Sequence, residues 1–252
     1  MTSTLDRALH SEWDRLADAG PGRPLRFTPD AVAELPEPAR RRIRHAVEPG
    51  APLATSVQLT MRGRIRLGAW RPFTATQILA PDGFVWTATA RIAGLPVSGF
   101  DRWSAGSGQQ RWRVAGLVPV VSVTGSEVSR SAAGRLAAEL TALLPTAYAG
   151  ASWAAGPDPD TAVATWRFDG QEEHVRLRVD PDGDLREITM QRWGEPGGAP
   201  FARYPFGVAL GVERTFDGVR IPTRLRAGWG WGTPRQTEGE FFSAQITGAI
   251  LR

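Results

Sequence analysis

The sequence predicts a mainly β, α+β fold: one large curved antiparallel sheet, a half-barrel or open barrel, with N-terminal helices and one central helix covering its concave face. Three observations predict it. From Ala54 onward apolar residues recur with period two in about ten or more short runs. The runs are joined by turns rich in Asp and Gly, and helical patterns are confined to the first fifty residues and to one central segment at about 131–144. With 252 residues, 42% of them apolar, the chain is long enough for a full core. The division expected is a helical segment over 1–50 packed on a single β-rich domain over 51–252.

In chain order, "LDRALHSEWDRLADA" sets Leu5, Leu9 or Trp13, and Leu16 on one side of a helix that Gly20, Pro21 and Gly22 end. "TPDAVAEL" opens a second helix, with Thr28 as N-cap and Pro29 at the first helical position. "PEPARRRIRHAV" makes a third. Then Val57, Leu59, Met61, Ile65 and Leu67 take one face of a strand, with Arg62, Arg64 and Arg66 on the other. "FTATQILA", "PDG" and "FVWTATARI" predict a hairpin, and "GFDRW", "QQRWRVAG" and "VPVVSV" continue as strands. After the central helix "GRLAAELTALLPTAYAG", stopped by Pro145, a meander runs through "TAVATWRF", "EHVRLRV" and "LREITMQRW". "VALGVERTF", "VRIP", "TRLRAGW" and "EFFSAQIT" complete it.

Composition narrows the chemistry. There is no cysteine, so no thiolate nucleophile and no Cys-type zinc site, and His10, His45 and His174 lie far apart, so no metal is expected. All thirty basic residues are arginine, which removes lysine Schiff-base chemistry and the phosphate-binding Gly-x-x-x-x-Gly-Lys loop. A net charge of +4 is spread without an aromatic-interleaved basic block, so no nucleic-acid partner is expected. No apolar run reaches the roughly 18 to 20 residues of a membrane span, and the N-terminus carries acids where a signal peptide has an apolar core. A cytoplasmic location follows as the expectation. No motif calls for a cofactor, and no pattern speaks to oligomeric state.

Five stretches in order, "ELPEPARRRIRHAVEPGAP", "WRPFTATQILAPDGFVWTATA", "FDRWSAGSGQQRWRVAGLVPV", "GRLAAELTALLPTAY" and "RTFDGVRIPTRLRAGWGWG", resemble a bacterial domain family of unknown function. The resemblance runs from about Leu35 to the C-terminus, through Gly106 and Gly108, the Arg135 and Glu139 helix, and Ile221 and Pro222. Its layout is more loosely similar to the half-barrel of periplasmic lipoprotein carriers. The likeness implies a fold; it transfers no catalytic residue.

A concave sheet under helices leaves a cleft suited to a hydrophobic small molecule. Trp86, Trp103, Trp229 and Trp231 are the candidate ligand contacts; each is equally a core filler by its size. Trp229 and Trp231 in "GWGWG" share strand parity, which would place both indoles on one face. Asp101, beside Phe100 and Trp103, and Glu139 are the candidate acid or base groups. Asp101 is otherwise a turn cap, and Glu139, at the edge of the apolar arc of its helix, is otherwise half of an intrahelical pair with Arg135. Arg135, Arg192 and Tyr204 are the candidates for stabilising charge. Two functions follow: binding of an apolar or amphipathic molecule in a Trp-lined cleft, or cofactor-independent isomerase, cyclase, lyase or hydrolase chemistry by these carboxylates.

Overall fold

A computed structural model describes residues 4–18 and 25–252, with side chains from residue 7. Its framework is one open sheet of thirteen antiparallel strands. The first wing holds β1 (Val57–Leu67), β2 (Ala69–Ala80), β3 (Gly83–Ile92), β4 (Leu95–Ser104), β5 (Ser107–Val114) and β6 (Val118–Thr124). The second holds β7 (Ser152–Ala155), β8 (Thr161–Phe168), β9 (Gln171–Val179), β10 (Leu185–Gly194), β11 (Ala202–Phe216), β12 (Val219–Trp229) and β13 (Glu240–Leu251). Their order is β6-β5-β4-β3-β2-β1-β13-β12-β11-β10-β9-β8-β7. Each wing is a meander of hairpins. The wings join where β1 pairs with β13, with Val57 opposite Leu251 and Gly63 opposite Ala244.

The helices are α1 (Thr4–Ala17), α2 (Glu37–Ala46) and α3 (Ser126–Leu143), with a four-residue helix at Gln236–Gly239. The chain leaves one sheet edge at β6 and re-enters the other at β7, so α3 connects the two edges across the concave side. This explains its unusual burial. Leu136, Ala137, Ala138, Leu140, Ala142 and Leu143 are all buried, which is more of the circumference than the one apolar arc of an ordinary surface helix. The helix also begins at Ser126, earlier than the 131 expected, because the polar turn "SEVSR" continues it into the β6 loop.

Alternation sorts the strands by face. Phe73, Ala75 and Leu79 of β2, with Phe84, Trp86, Ala88 and Ala90 of β3, join Leu136, Leu140 and Ile246 in the main core. Ala39, Ile43 and Ala46 of α2 belong to the same core. The first helix departs from the expected covering of the concave face. Leu16 and Ala17 of α1 pack with Ile78, Ala80 and Val85, the opposite parity of β2 and β3, so α1 sits on the convex side. Its polar side is tied there by Arg15 to Asp82 and Ser104, and by Glu12 to Arg102. Gly20, Pro21 and Gly22 and the Leu5 side chain lie outside the described residues. The segment at Thr28 makes only a single 3-10 turn, Pro29–Val32, and Thr28 gives no side-chain cap; Pro36 soon imposes an extended entry to α2.

Two sequence features acquire their reason here. "SAGSG" is a two-residue hairpin turn with Ala105 and Gly106 both at positive φ, 47° and 74°. A Cβ on Gly108 would lie 2.7 Å from the Ser129 Cα, so this glycine lets β5 meet the backbone of α3. Those are the two glycines of the Gly-x-Gly pattern.

At one end of the sheet Arg42, 2% exposed, pairs with Glu213 at 2.7 Å. Glu213 also accepts the Leu185 N–H and lies 3.2 Å from His45, itself 3.0 Å from Asp184. His45, Asp184 and Glu213 have the spacing of metal ligands. Arg42 and Arg220 already reach Glu213 and His45, so this donor set is built as an ion-pair network that a cation would have to break.

Candidate functional site

Between α3 and the concave face lies a cavity of about 660 Å³, within the range of small-molecule sites. Its apolar walls come from strands on both sides of the β1–β13 seam: Met61, Phe84 and Trp86 from one wing, and Phe206, Leu225 and Trp229 from the other. Phe241, Phe242 and Ile246 of β13 close the space between them. Parity decides most of this, since each strand spends one face on the interior, and Phe241 joins Phe242 there because the register shift between Ala227 and Gly228 leaves it as an extra residue of β13. Aromatic rings meet in a chain: Trp86 lies 5.9 Å from Phe73 and 5.6 Å from Trp112, and Phe206 lies 5.2 Å from Trp229.

Polar groups converge on the α3 wall. Arg135 donates from Nε to Glu139 Oε1 at 2.7 Å and from Nη1 to Asp101 Oδ2 at 3.1 Å. Asp101 Oδ1 accepts the Trp112 indole N–H at 3.0 Å, and Glu139 Oε2 accepts from Gln77. The guanidinium of Arg135 lies 4.6 Å from the Phe84 ring centre and 5.2 Å from that of Trp86. Burial opposes its charge, but Glu139 and Asp101 together hold its pKa above the ordinary arginine value. Burial pushes the Asp101 carboxyl up, against the pull of Arg135 and the Trp112 hydrogen bond.

Arg192 approaches α3 from β10, in the other wing from Asp101. It reaches only the Ser131 carbonyl of α3, from Nε and Nη2 at 3.4 and 3.2 Å. Its guanidinium lies 4.8 Å from the Phe206 ring centre and 5.3 Å from that of Trp229. Among the described residues no carboxylate is within salt-bridge distance of it. Burial, then the charge of Arg135, lowers its pKa to about 10.

Six of the nine residues expected to form the site line this cavity: Asp101, Arg135, Glu139, Arg192, Trp86 and Trp229. Three do not. Trp103 is 5% exposed and packs edge-on to Phe168 at 5.3 Å, as a core residue. Trp231 lies over Gly207 and donates to Glu187 Oε1 at 2.9 Å, on strand positions of the parity opposite to Phe206 and Ile188. Parity failed because β12 stops at Trp229 and Gly230 turns the chain at φ 65°. Tyr204 gives its hydroxyl to the Pro200 carbonyl at 2.8 Å, fixing the β10–β11 loop; Phe201 of that loop lines the cavity instead.

Asp101 is no turn cap, since it sits within β4. Gln77, buried on the parity of Phe73, Ala75 and Leu79, is a polar residue within an apolar strand face, a break in the pattern that the sequence itself carries. Phe206 and Phe242 carried no distinguishing signal, because any core strand has such residues.

The raised Asp101 pKa fixes the sign of a pH effect. Between the ordinary carboxylate range, roughly pH 4, and the higher folded-state pKa, the folded protein keeps a proton that the unfolded chain has lost. Stability from this residue is therefore highest at low pH and falls as pH rises through that window. The difference in unfolding free energy between wild type and Asp101→Asn, measured by urea denaturation across this range, is expected to carry that slope. A difference that is flat, or rises with pH, would contradict it.

A model of a family of unknown function, DUF6544, matches residues 25–241. No curated protein matches the chain in sequence. Among solved structures the chain is similar to a domain assigned to outer membrane lipoprotein sorting in Vibrio parahaemolyticus, with TM-score 0.42, 8% identity and coverage of 88% of this chain and 93% of that one. It is similar also to a LolA superfamily protein from Nitrosomonas europaea, with TM-score 0.40, 10% identity and coverage of 85% and 92%. A DUF1329 family protein from Desulfovibrio piger gives TM-score 0.37, 11% identity and coverage of 79% and 86%.

Proposed function

We propose that this chain, which belongs to the DUF6544 family of unknown function, binds one amphipathic small molecule in the cavity between α3 and the concave sheet. One observation carries the reading: a space of about 660 Å³ with apolar and aromatic walls, and charged groups gathered on a single wall. Such a space accommodates a hydrophobic body and orients it by its polar end. Because its lining is drawn from strands on both sides of the seam, the cavity is part of the core, and ligand binding should stabilise the fold.

The test uses dodecanol as a plain amphipathic probe, with calorimetric titration and thermal unfolding. Dodecanol is expected to bind and to raise the unfolding midpoint. Ala227→Trp places an indole in the cavity from β12, where Ala227 is 7% exposed, and is expected to lower the affinity at least about tenfold. Unchanged affinity in that variant would place the binding elsewhere and sink the proposal.

Asp101 favours a second reading, acid–base catalysis on a hydrophobic metabolite, because burial raises the pKa of this carboxyl in an apolar cavity, the setting in which a carboxyl serves as an acid or base. The readings separate on substitution. Catalysis requires that Asp101→Asn or Glu139→Gln abolish turnover of the bound molecule while folding persists. Under simple binding the ligand is recovered unchanged from wild type, and those substitutions alter affinity only.

A further inference from the structure

We infer that the ligand of this cavity carries an oxyanion, a carboxylate or a group of like shape, and that Arg192 is its seat. The inference rests on the cavity being a ligand site, as proposed above, and adds the chemistry of the ligand's polar end.

The carboxylates around Arg192 are engaged by other groups or lie out of its reach: Glu127 of the cavity wall accepts the Trp193 indole N–H, and Glu195 is exposed and beyond salt-bridge distance. Asp101 is held by Arg135 and Trp112, Glu139 by Arg135 and Gln77, and Glu173, 0% exposed, by both terminal nitrogens of Arg203 at 2.9 and 3.2 Å. Among the described residues lining the cavity, Arg102 pairs with Glu12 and Arg135 with Asp101 and Glu139, whereas half-buried Arg192 has no carboxylate within salt-bridge distance, and a guanidinium partly withdrawn from water without an anion is costly. Its position is nevertheless fixed. The Ser131 carbonyl holds one edge of the fork, and the Phe206 and Trp229 rings lie within 4.8 and 5.3 Å. No hydrogen bond engages Nη1, so a planar donor edge is left over for a partner that the protein does not supply. A second unmet donor points to the same need. The indole N–H of Trp86, a cavity residue, is buried with no hydrogen-bond partner. Both unmet groups are donors, so the missing partner is an acceptor. An amphipath with its oxyanion on Arg192 would run its tail along Phe206, Trp229, Phe241 and Phe242.

Dodecanoate and dodecanol, equal in chain and different in head, test this by calorimetric titration at neutral pH. The wild-type protein is expected to bind dodecanoate at least tenfold more tightly than dodecanol. Arg192→Met should erase that preference by weakening dodecanoate at least tenfold more than dodecanol, with an unfolding midpoint unchanged or raised because an unpaired half-buried charge is gone. Arg192→Lys, which keeps charge without the fork, should retain part of the preference and guards against a folding defect in the methionine variant. Equal binding of the two probes by wild type overturns the oxyanion inference while the apolar cavity reading stands. A preference that survives in Arg192→Met overturns the assignment to Arg192. If neither probe binds, the cavity reading falls and this inference falls with it.

Discussion

Glu213→Ala is expected to cost about 3–5 kcal/mol of folding free energy, the usual penalty for stripping one partner from a buried ion pair. Arg42 is 2% exposed and its only carboxylate partner among the described residues is Glu213. Alanine leaves that guanidinium with only the Gly183 and Arg220 carbonyls, at 3.3 and 3.4 Å. It also orphans the Leu185 N–H, at the start of β10, and removes one of the two carboxylates beside His45. Burial already presses the Arg42 pKa down against the pull of Glu213 and the weaker pull of Asp184, which makes no ion pair with Arg42. The double variant Arg42→Met with Glu213→Leu separates the two costs. If most of the loss is the uncompensated cation, the double variant should recover much of it, as hydrophobic replacement of buried pairs does elsewhere. Urea denaturation of the three proteins reads this directly, and a single-variant loss below about 1 kcal/mol would mean that water reaches Arg42.

The second large effect is expected at the joint between the wings. A Cβ on Gly63 would sit 2.1 Å from the Ser243 carbonyl oxygen and 2.8 Å from the Ala244 Cα, both backbone atoms of β13. No rotamer change relieves such a contact. Gly63→Ala must therefore push β13 from β1 at the one pairing that joins the two meanders, with Phe73 a further 3.0 Å neighbour. A loss of about 3 kcal/mol is expected, at the upper end for overpacking. Because Ile246, Phe242 and Met61 around that seam line the cavity, dodecanol affinity should fall as well. Gly211→Ala is the control. Its Cβ would meet nothing within 4 Å and its φ is ordinary, so stability should be unchanged or raised by about 0.4–1 kcal/mol through the unfolded chain. Equal effects at the two glycines would rule out the steric explanation.

The functional consequence of the two-wing plan is that no single hairpin owns the site. Asp101 arrives from β4, Gln77 from β2, Arg135 and Glu139 from α3, and Arg192 from β10. Only the passage of α3 from edge to edge brings them together. That geometry answers the choice left open for Glu139: it is half of an ion pair with Arg135 and also a wall of the cavity, since the pair itself faces the space.

Local chemistry, printed in the sequence, determined the strands and turns of this protein. Alternation over β8, β9 and β10 marked their buried sides, and the positive-φ turns at Gly106, Gly170 and Gly218 fell where Gly follows a small or acidic residue. The stop of α3 at Pro145 was equally local. Period-two patterning says which residues share a face, but both faces of β2 and β3 are apolar near Ile78 and Val85, so it could not say that α1 would take the convex one. Nor does parity survive a left-handed residue, which is why Trp229 entered the cavity and Trp231 left it at Gly230. Which carboxylate finds which cation depends on contacts between residues as distant as Gln77 and Glu139, or Asp101 and Arg135, and no local periodicity encodes them. The tertiary structure alone decided that Arg135 would meet two carboxylates and Arg192 only a backbone carbonyl and two aromatic rings, because only the folded sheet sets those distances.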